Sequence, residues 1–532
     1  MHPAPRPRFL PAPSLGTGAL AALLLLFAAS AAPARAADSG PVAAVTGGQI
    51  QGRTLDDGKG AVFKGVPFAR PPVGDLRWRE PMPVVPWEGV RDAGKSGPPA
   101  AQPDLGWNHA DAAAGSEDCL YLDVWTPAAH PKEPLPVMVW IHGGANVAGA
   151  GGFDPLYDGR ALISHGVVLV VVEYRLGLFG FFSHPELTRE SPHHASGNYG
   201  VMDQAAALKW VHDNIAVFGG DPGNVTVFGQ SAGSMDVLAL MASPLGRGLF
   251  QRAIAESGPS SLSGRTTRDD AERAGVRTAE RLGAPADAAL RFLRSLSTET
   301  LLKSGAWAPA LGADGWVLPE TAADAFSKGG EAHVPLIIGT LAIELPMSGT
   351  PAQIRKSIEE TFGDLAPRAL ALYGLSGNAT GIPADPVYGD LGEQWGSDRM
   401  RCGAIVQGEW HSRAGNPTWV YQFCRAIPPH PRTSHSGDLP YVFGNLYSTG
   451  SLPGDYQDSD RRLSAAVQTY WTQFAKTGNP NGPGVPTWPA YDGTARHFLN
   501  VTASAGIVVA DDPRGPVCDL FRELMGRPAA AP

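Results

Sequence analysis

Gly229-Gln230-Ser231-Ala232-Gly233 follows directly on the apolar run Val225-Thr226-Val227-Phe228. A small residue two places before and two places after a serine permits a cramped strand-to-helix turn, which lifts the hydroxyl clear of the backbone. Ser234 to Met241 has the composition of a helix that stops before Pro244. The N-terminal N–H groups of that helix would face any negative charge developing beside the hydroxyl. The chemistry such a turn suits is nucleophilic attack by Ser231. The pentapeptide alone says little in a chain with 65 glycines, so its weight rests on partners elsewhere.

A serine hydroxyl is a poor nucleophile until a base takes its proton, and a carboxylate must hold that base. Where such turns serve catalysis, the acid and then the histidine follow the serine along the chain. The apolar run Pro335-Leu336-Ile337-Ile338 leads into Gly339-Thr340-Leu341-Ala342-Ile343-Glu344, which makes Glu344 the candidate acid. Thr418 to Phe423 leads through a Pro-rich loop to His435-Ser436-Gly437-Asp438, which makes His435 the candidate base. Acyl transfer also needs donors for a tetrahedral oxyanion. The run ending at Ile141 continues into His142-Gly143-Gly144-Ala145-Asn146, a turn small enough to aim backbone N–H groups inward. The residue after the nucleophile, Ala232, supplies another N–H.

These residues need a rigid frame. Val137 to Ile141 and Val167 to Val172 are continuous apolar runs, as expected of parallel strands covered on both faces. Met202, Ala205, Leu208, Val211 and Ile215 recur at helical spacing before the strand at Val225. Strand, helix and strand form a βαβ unit with Ser231 at its end. The fold class is therefore α/β, a large and mostly parallel central sheet with helices on both faces. Residues 37–532 are expected to form one catalytic domain. Helical and loop-rich insertions at about 260–330 and 345–415 would cover the site.

Composition narrows the function. Hydrophobic residues make up 43% and charged residues 17% of the 532 residues, which suits a globular chain and argues against disorder. The net charge is −9 with both signs scattered and no basic block, so nucleic acid is not an expected partner. Arg6 and Arg8, the apolar run Leu20 to Ala29 and the site Ala34-Arg35-Ala36 describe a secretory signal over residues 1–36. Export to the periplasm or the medium is expected, with no membrane insertion after cleavage. Four cysteines, Cys119, Cys402, Cys424 and Cys518, allow three fully paired arrangements in that compartment. His193-His194 has no further ligand at a convincing spacing, so no metal is expected.

Several blocks together resemble one family. They are Phe63-Lys64-Gly65-Val66-Pro67-Phe68-Ala69 through Gly74, Ser116-Glu117-Asp118-Cys119-Leu120-Tyr121-Leu122 through Trp125, and Gly197-Asn198-Tyr199-Gly200-Val201-Met202-Asp203-Gln204. Phe218-Gly219-Gly220-Asp221-Pro222 through Gly233 and His435 through Gly444 complete the set. They are collinear from about Val45 to about Cys518. In this the chain resembles the type-B carboxylesterases, which include the cholinesterases and the bacterial para-nitrobenzyl esterases. The resemblance implies an α/β-hydrolase fold and hydrolysis of small carboxylic esters without a cofactor. It implies Ser231 as nucleophile, Glu344 as acid, His435 as base, and Gly144, Ala145 and Ala232 as oxyanion donors. It also implies a disulfide between Cys402 and Cys518.

The departures from the family pattern bear on the pocket. Gln230 replaces a usual Glu beside the nucleophile, which removes a negative charge and disfavours a cationic substrate. Asn146 stands where an aromatic residue is common and is expected to alter the pocket wall. Ala145 stands where a third glycine is common. Trp107 lies in the loop that borders the entrance in the family, so it either lines the gorge or simply packs. Cys119 lacks an upstream partner, with Ala100 near the expected place, and Cys424 has no clear partner. A non-catalytic binding protein on the same fold would be expected to have lost a triad member. An amidase or a lactone or carbamate hydrolase would share all three. The physiological ester and the oligomeric state stay open.

Overall fold

Fourteen strands are described: β1 (Val42–Val45), β2 (Gly48–Gln51), β3 (Arg53–Thr54), β4 (Ala61–Pro67), β5 (Val90–Asp92), β6 (Tyr121–Thr126), β7 (Leu135–Ile141), β8 (Val168–Val172), β9 (Gly220–Gln230), β10 (Arg252–Glu256), β11 (Leu336–Leu341), β12 (Thr418–Phe423), β13 (His497–Val501) and β14 (Ile507–Asp511). The structure is a computed structural model and describes residues 40–526 apart from 57, 129–130, 261–265, 306–310, 448–451 and 513. The leader expected over 1–36 lies outside the described residues. Eleven strands form one sheet in the order β14-β13-β12-β11-β10-β9-β7-β8-β6-β4-β3. From β13 across to β8 every pairing is parallel. Pairing turns antiparallel only toward the two edges. β1, β2 and β5 make a separate small sheet.

The continuous apolar runs are explained by what covers them. Along β7, Val137, Val139 and Ile141 enter one core, while Met138 and Trp140 enter another on the opposite face. In β8, Val168, Val170 and Val172 separate in the same way from Leu169 and Val171. Both faces are buried, so a polar side chain on a central strand is costly and apolar residues dominate these runs. The first face is closed by the helices Tyr199–Asn214 and Ala232–Ala242, through residues such as Leu208, Val211, Val237 and Leu240. The second is closed by the helix Asp458–Thr477, through Leu463, Val467, Tyr470, Trp471 and Phe474.

Helices Arg268–Arg281, Ala289–Ser295, Thr298–Lys303 and Ala322–Lys328 occupy the span between β10 and β11. Between β11 and β12 lie Pro351–Phe362, Ala366–Leu372 and the long helix Leu391–Arg413. The last of these puts Cys402, Ala404, Ile405 and Val406 into the first core. Cys402 is joined to Cys518 of the helix Gly515–Met525 by a disulfide, while Cys119 and Cys424 are buried free thiols. The bond spans 116 residues of sequence. Chain-entropy arguments put its removal at about 4–5 kcal/mol, partly offset because the two helices stay packed. A clear fall in the thermal unfolding midpoint of the Cys402→Ala/Cys518→Ala protein is expected. An unchanged midpoint would mean that the cross-link constrains nothing.

Candidate active site

β9 ends at Gln230 and the next helix begins at Ala232, so Ser231 alone makes the corner. Its backbone sits at φ 57° and ψ −124°, a conformation that non-glycine residues hold only when their surroundings impose it. Here the surroundings do. The Ser231 N–H donates to the Glu256 carbonyl of β10 at 2.8 Å, and the Ser231 carbonyl accepts from the Met235 N–H at 3.1 Å. Two residues on, a Cβ on Gly233 would lie 2.1 Å from the Ile141 carbonyl oxygen. Only glycine lets the end of β7 pass so close to the first turn of this helix. That close approach brings the loop after β7 beside Ser231.

The loop leaves Ile141 and turns through three successive residues at positive φ: Gly144 at 112°, Ala145 at 58° and Asn146 at 57°. A Cβ on Gly144 would lie 1.8 Å from the Ala148 carbonyl oxygen, so the turn is closed to any larger residue. Among the described residues, the N–H groups of Gly144 and Ala145 donate to no backbone carbonyl. Ala232 is the first residue of its helix, where an N–H has no intrahelical acceptor.

β11 delivers Glu344 and the loop after β12 delivers His435. The two strands are parallel neighbours, with Leu341 opposite Phe423, so their C-terminal ends open on the same side of the sheet as Ser231. His435 Nε2 lies 2.8 Å from Ser231 Oγ, and His435 Nδ1 lies 2.6 Å from Glu344 Oε2. The other carboxylate oxygen of Glu344 accepts the Leu341 N–H at 2.7 Å. Glu344 is 2% exposed, and Leu341, Ala342 and Ile343 around it are buried. The acid turn is therefore a buried socket lined by apolar side chains, in which the carboxylate is the turn's own polar side chain. Gln230 Nε2 lies 3.3 Å from His435 Nε2.

Nearby acids ionise less readily than usual. Burial and the Glu344 charge push the Asp438 carboxyl up to about 7, and burial pushes Glu256 well above the usual carboxylate range. Burial also pulls His142 down to about 4, with its Nδ1 2.8 Å from the Gly143 carbonyl. The imidazole at the root of the loop is thus neutral near pH 7. Among the described residues, no group of three or more His, Cys, Asp or Glu side chains could hold a metal ion.

One expectation is corrected. The Asn146 side chain does not line the pocket. It is 2% exposed, donates from Nδ2 to Asp236 Oδ1 at 2.8 Å, and accepts the Tyr174 hydroxyl on Oδ1 at 3.1 Å. A side chain with that many polar atoms is buried only where partners meet them, and those partners lie beneath the loop. Trp107 is 63% exposed, ahead of the short helix His109–Ala114. Asp203 receives two bonds of 2.7 Å from the Arg175 guanidinium.

Sequence reasoning also missed the groups that hold the acid turn. The Glu344 N–H donates to Ser397 Oγ at 2.9 Å, and Arg401 Nη2 donates to the Ala342 carbonyl at 2.6 Å. Both belong to the helix Leu391–Arg413, and Arg401 is itself paired with Asp398 one turn away. An acid and an arginine three apart in a stretch otherwise spaced for the core was the available signal.

The carboxylesterase family pattern matches residues 39–362 and 390–519. Fumonisin B1 esterase of Sphingopyxis macrogoltabida is 35% identical over 501 residues, 90% of each chain. Para-nitrobenzyl esterase of Bacillus subtilis is 36% identical over 486 residues, 85% of this chain and 92% of that one. A solved PNB esterase superposes with a TM-score of 0.78 at 34% identity, covering 91% of this chain and 99% of its own. A carboxylesterase of Geobacillus stearothermophilus gives 0.77 at 30% identity, covering 90% and 99%. The sheet order, the helices on both faces and these likenesses together give the α/β-hydrolase fold, and the chain belongs to the type-B carboxylesterase family as a carboxylesterase.

Proposed function

We propose that the enzyme is an exported serine carboxylesterase that works through an acyl-enzyme on Ser231. The observation that carries this is the unbroken chain of contacts from Ser231 Oγ to His435 at 2.8 Å and on to Glu344 at 2.6 Å. His435 Nε2 takes the hydroxyl proton as Oγ attacks the ester carbonyl. Glu344 keeps the Nδ1 proton in place and stabilises the imidazolium. The oxyanion is held by the N–H groups of Gly144, Ala145 and Ala232. His435 then protonates the departing alcohol, and the same base activates the water that releases the acid.

Two features bear on the substrate. Gln230, uncharged and 3.3 Å from His435, leaves no carboxylate beside the nucleophile, which favours neutral esters over cationic ones. The family resemblance puts the loop of Trp107 at the entrance, and its exposure supports that reading, since a free indole face would receive an aryl or alkyl group. The basic and apolar N-terminal stretch, together with the Cys402–Cys518 disulfide, supports export.

The test is stoichiometric labelling with an organophosphonate, followed by peptide mass spectrometry. One adduct on Ser231 is expected, with hydrolysis lost in proportion to labelling. Full activity in a fully labelled sample, or an adduct elsewhere, would overturn the assignment. A panel of neutral and cationic alkyl and aryl esters, with a para-nitrobenzyl ester and fumonisin B1 included, then ranks substrates by kcat/KM.

A further inference from the structure

Asp236 lies five residues after Ser231, on the same helix, and is fully buried. Its neighbours in sequence, Met235, Val237, Leu238, Ala239 and Leu240, are apolar. A carboxyl group there costs more to bury than a leucine would unless hydrogen-bond partners meet it. Oδ1 accepts from Asn146 Nδ2 at 2.8 Å and Oδ2 from Gln204 Nε2 at 2.6 Å. The single proton of the Tyr174 hydroxyl is shared between the His142 carbonyl at 2.8 Å and Asn146 Oδ1 at 3.1 Å. Burial pushes the Asp236 carboxyl up to about 7, and in either protonation state it can accept both amide bonds.

The consequence is geometric. Two separate elements supply the proposed oxyanion donors: the turn carrying Gly144 and Ala145, and the helix starting at Ala232. Other side chains hold the far arm of that turn. Gln102 brackets Gly149 with bonds of 2.7 and 2.8 Å, and Glu173 accepts the Gly151 N–H at 2.7 Å. Neither belongs to the nucleophile's helix. Among the described residues, the side-chain hydrogen bond that joins the donor-bearing turn to this helix is the one between Asn146 and Asp236.

We infer that Asn146 and Asp236 are positioning residues, a buried tie that sets the spacing between the N–H groups of Gly144 and Ala145 and that of Ala232. They act through the backbone and touch no substrate. The inference rests on the proposed esterase mechanism and deepens it. A donor displaced by about 1 Å loses most of its value to a transition state, at roughly a hundredfold in rate, whereas ground-state binding depends on it little.

Three variants separate this tie from plain packing. Asn146→Gly keeps the left-handed backbone comfortable and deletes only the side chain. Asp236→Leu keeps the branched shape, though larger, and leaves the Asn146 and Gln204 amides unpaired. In Asp236→Asn every group can again be matched. Its Oδ1 accepts from Gln204, its Nδ2 donates to a flipped Asn146 Oδ1, and Asn146 Nδ2 donates to the Tyr174 hydroxyl. For Asn146→Gly and Asp236→Leu, kcat on a neutral aryl ester is expected to fall about 10- to 100-fold with KM within about twofold. Asp236→Asn is expected to stay within about threefold of the parent in both. Phosphonate labelling of Ser231 should slow in step with kcat.

If Asp236→Leu does not fold, Asn146→Gly decides the matter, with its fold checked by circular dichroism. Parental kcat in folded Asn146→Gly overturns the inference. So does a raised KM at constant kcat, which would put the side chain against substrate. Asp236→Asn as impaired as Asp236→Leu would also overturn it. None of these results touches the esterase mechanism, which stands or falls on the labelling of Ser231.

Discussion

Ser231→Ala is expected to abolish ester hydrolysis, with kcat down by about 10⁶-fold, and to leave the fold standing. The size of the loss follows from the division of labour. Once Oγ is gone, His435 has no hydroxyl to deprotonate. What survives is binding and the oxyanion donors acting on direct attack by water. The fold is spared because Oγ contributes nothing to the frame. Its contact is with His435, while the corner is held by the backbone bonds to Glu256 and Met235. Alanine pays the same left-handed backbone penalty as serine at this φ, so stability should change by about 1 kcal/mol or less. Steady-state rates on an aryl ester, with thermal unfolding alongside, measure both quantities. Activity within tenfold of the parent would remove Ser231 from the chemistry.

What could be seen in advance follows a physical line. Strand positions were legible because β7, β8, β9, β11 and β12 are buried on both faces, and such burial favours runs that are mostly apolar. Ser231, Glu344 and His435 were legible because each lies a few residues beyond such a run, where a parallel sheet opens its ends. The direction of a loop side chain was not. The place of Asn146 in the turn suggests the pocket wall, but its side chain is buried beneath the loop against Asp236 and Tyr174. Nothing in the order of residues says on which side of a turn a polar group finds its partner. Ser397 and Arg401 escaped for a related reason. Their bonds to the acid turn depend on how the helix Leu391–Arg413 packs, which helical spacing alone does not specify. Asp236 was the most visible of the missed residues, being the one acid in the otherwise uncharged helix Ala232–Ala242. An acid in such a place already requires a partner before any coordinates exist.

Glu344→Gln should lower kcat by about 10³- to 10⁴-fold while changing KM little, although the two side chains are nearly the same shape. The reason lies in the second bond of the carboxylate. Oε1 of Glu344 accepts the Leu341 N–H at 2.7 Å, and Oε2 faces His435 Nδ1 at 2.6 Å. A glutamine has one acceptor and one donor for these two places. The backbone N–H cannot move or turn, so the amide oxygen must face Leu341 and the amide NH₂ must face His435. That NH₂ donates to Nδ1 and shifts the imidazole proton to Nε2. Nε2 then offers a proton to Ser231 Oγ instead of accepting one, and the base is disabled with every distance preserved. The opposite orientation would leave two donors facing each other in a socket lined by buried Leu341, Ala342 and Ile343, at a cost of about 1–3 kcal/mol. Nitrogen NMR of the histidine ring distinguishes the tautomers directly. The Nε2–H form is expected in Glu344→Gln and the Nδ1–H form in the parent. A Glu344→Gln protein with parental kcat, or with its ring still protonated on Nδ1, would show that the carboxylate does not govern His435.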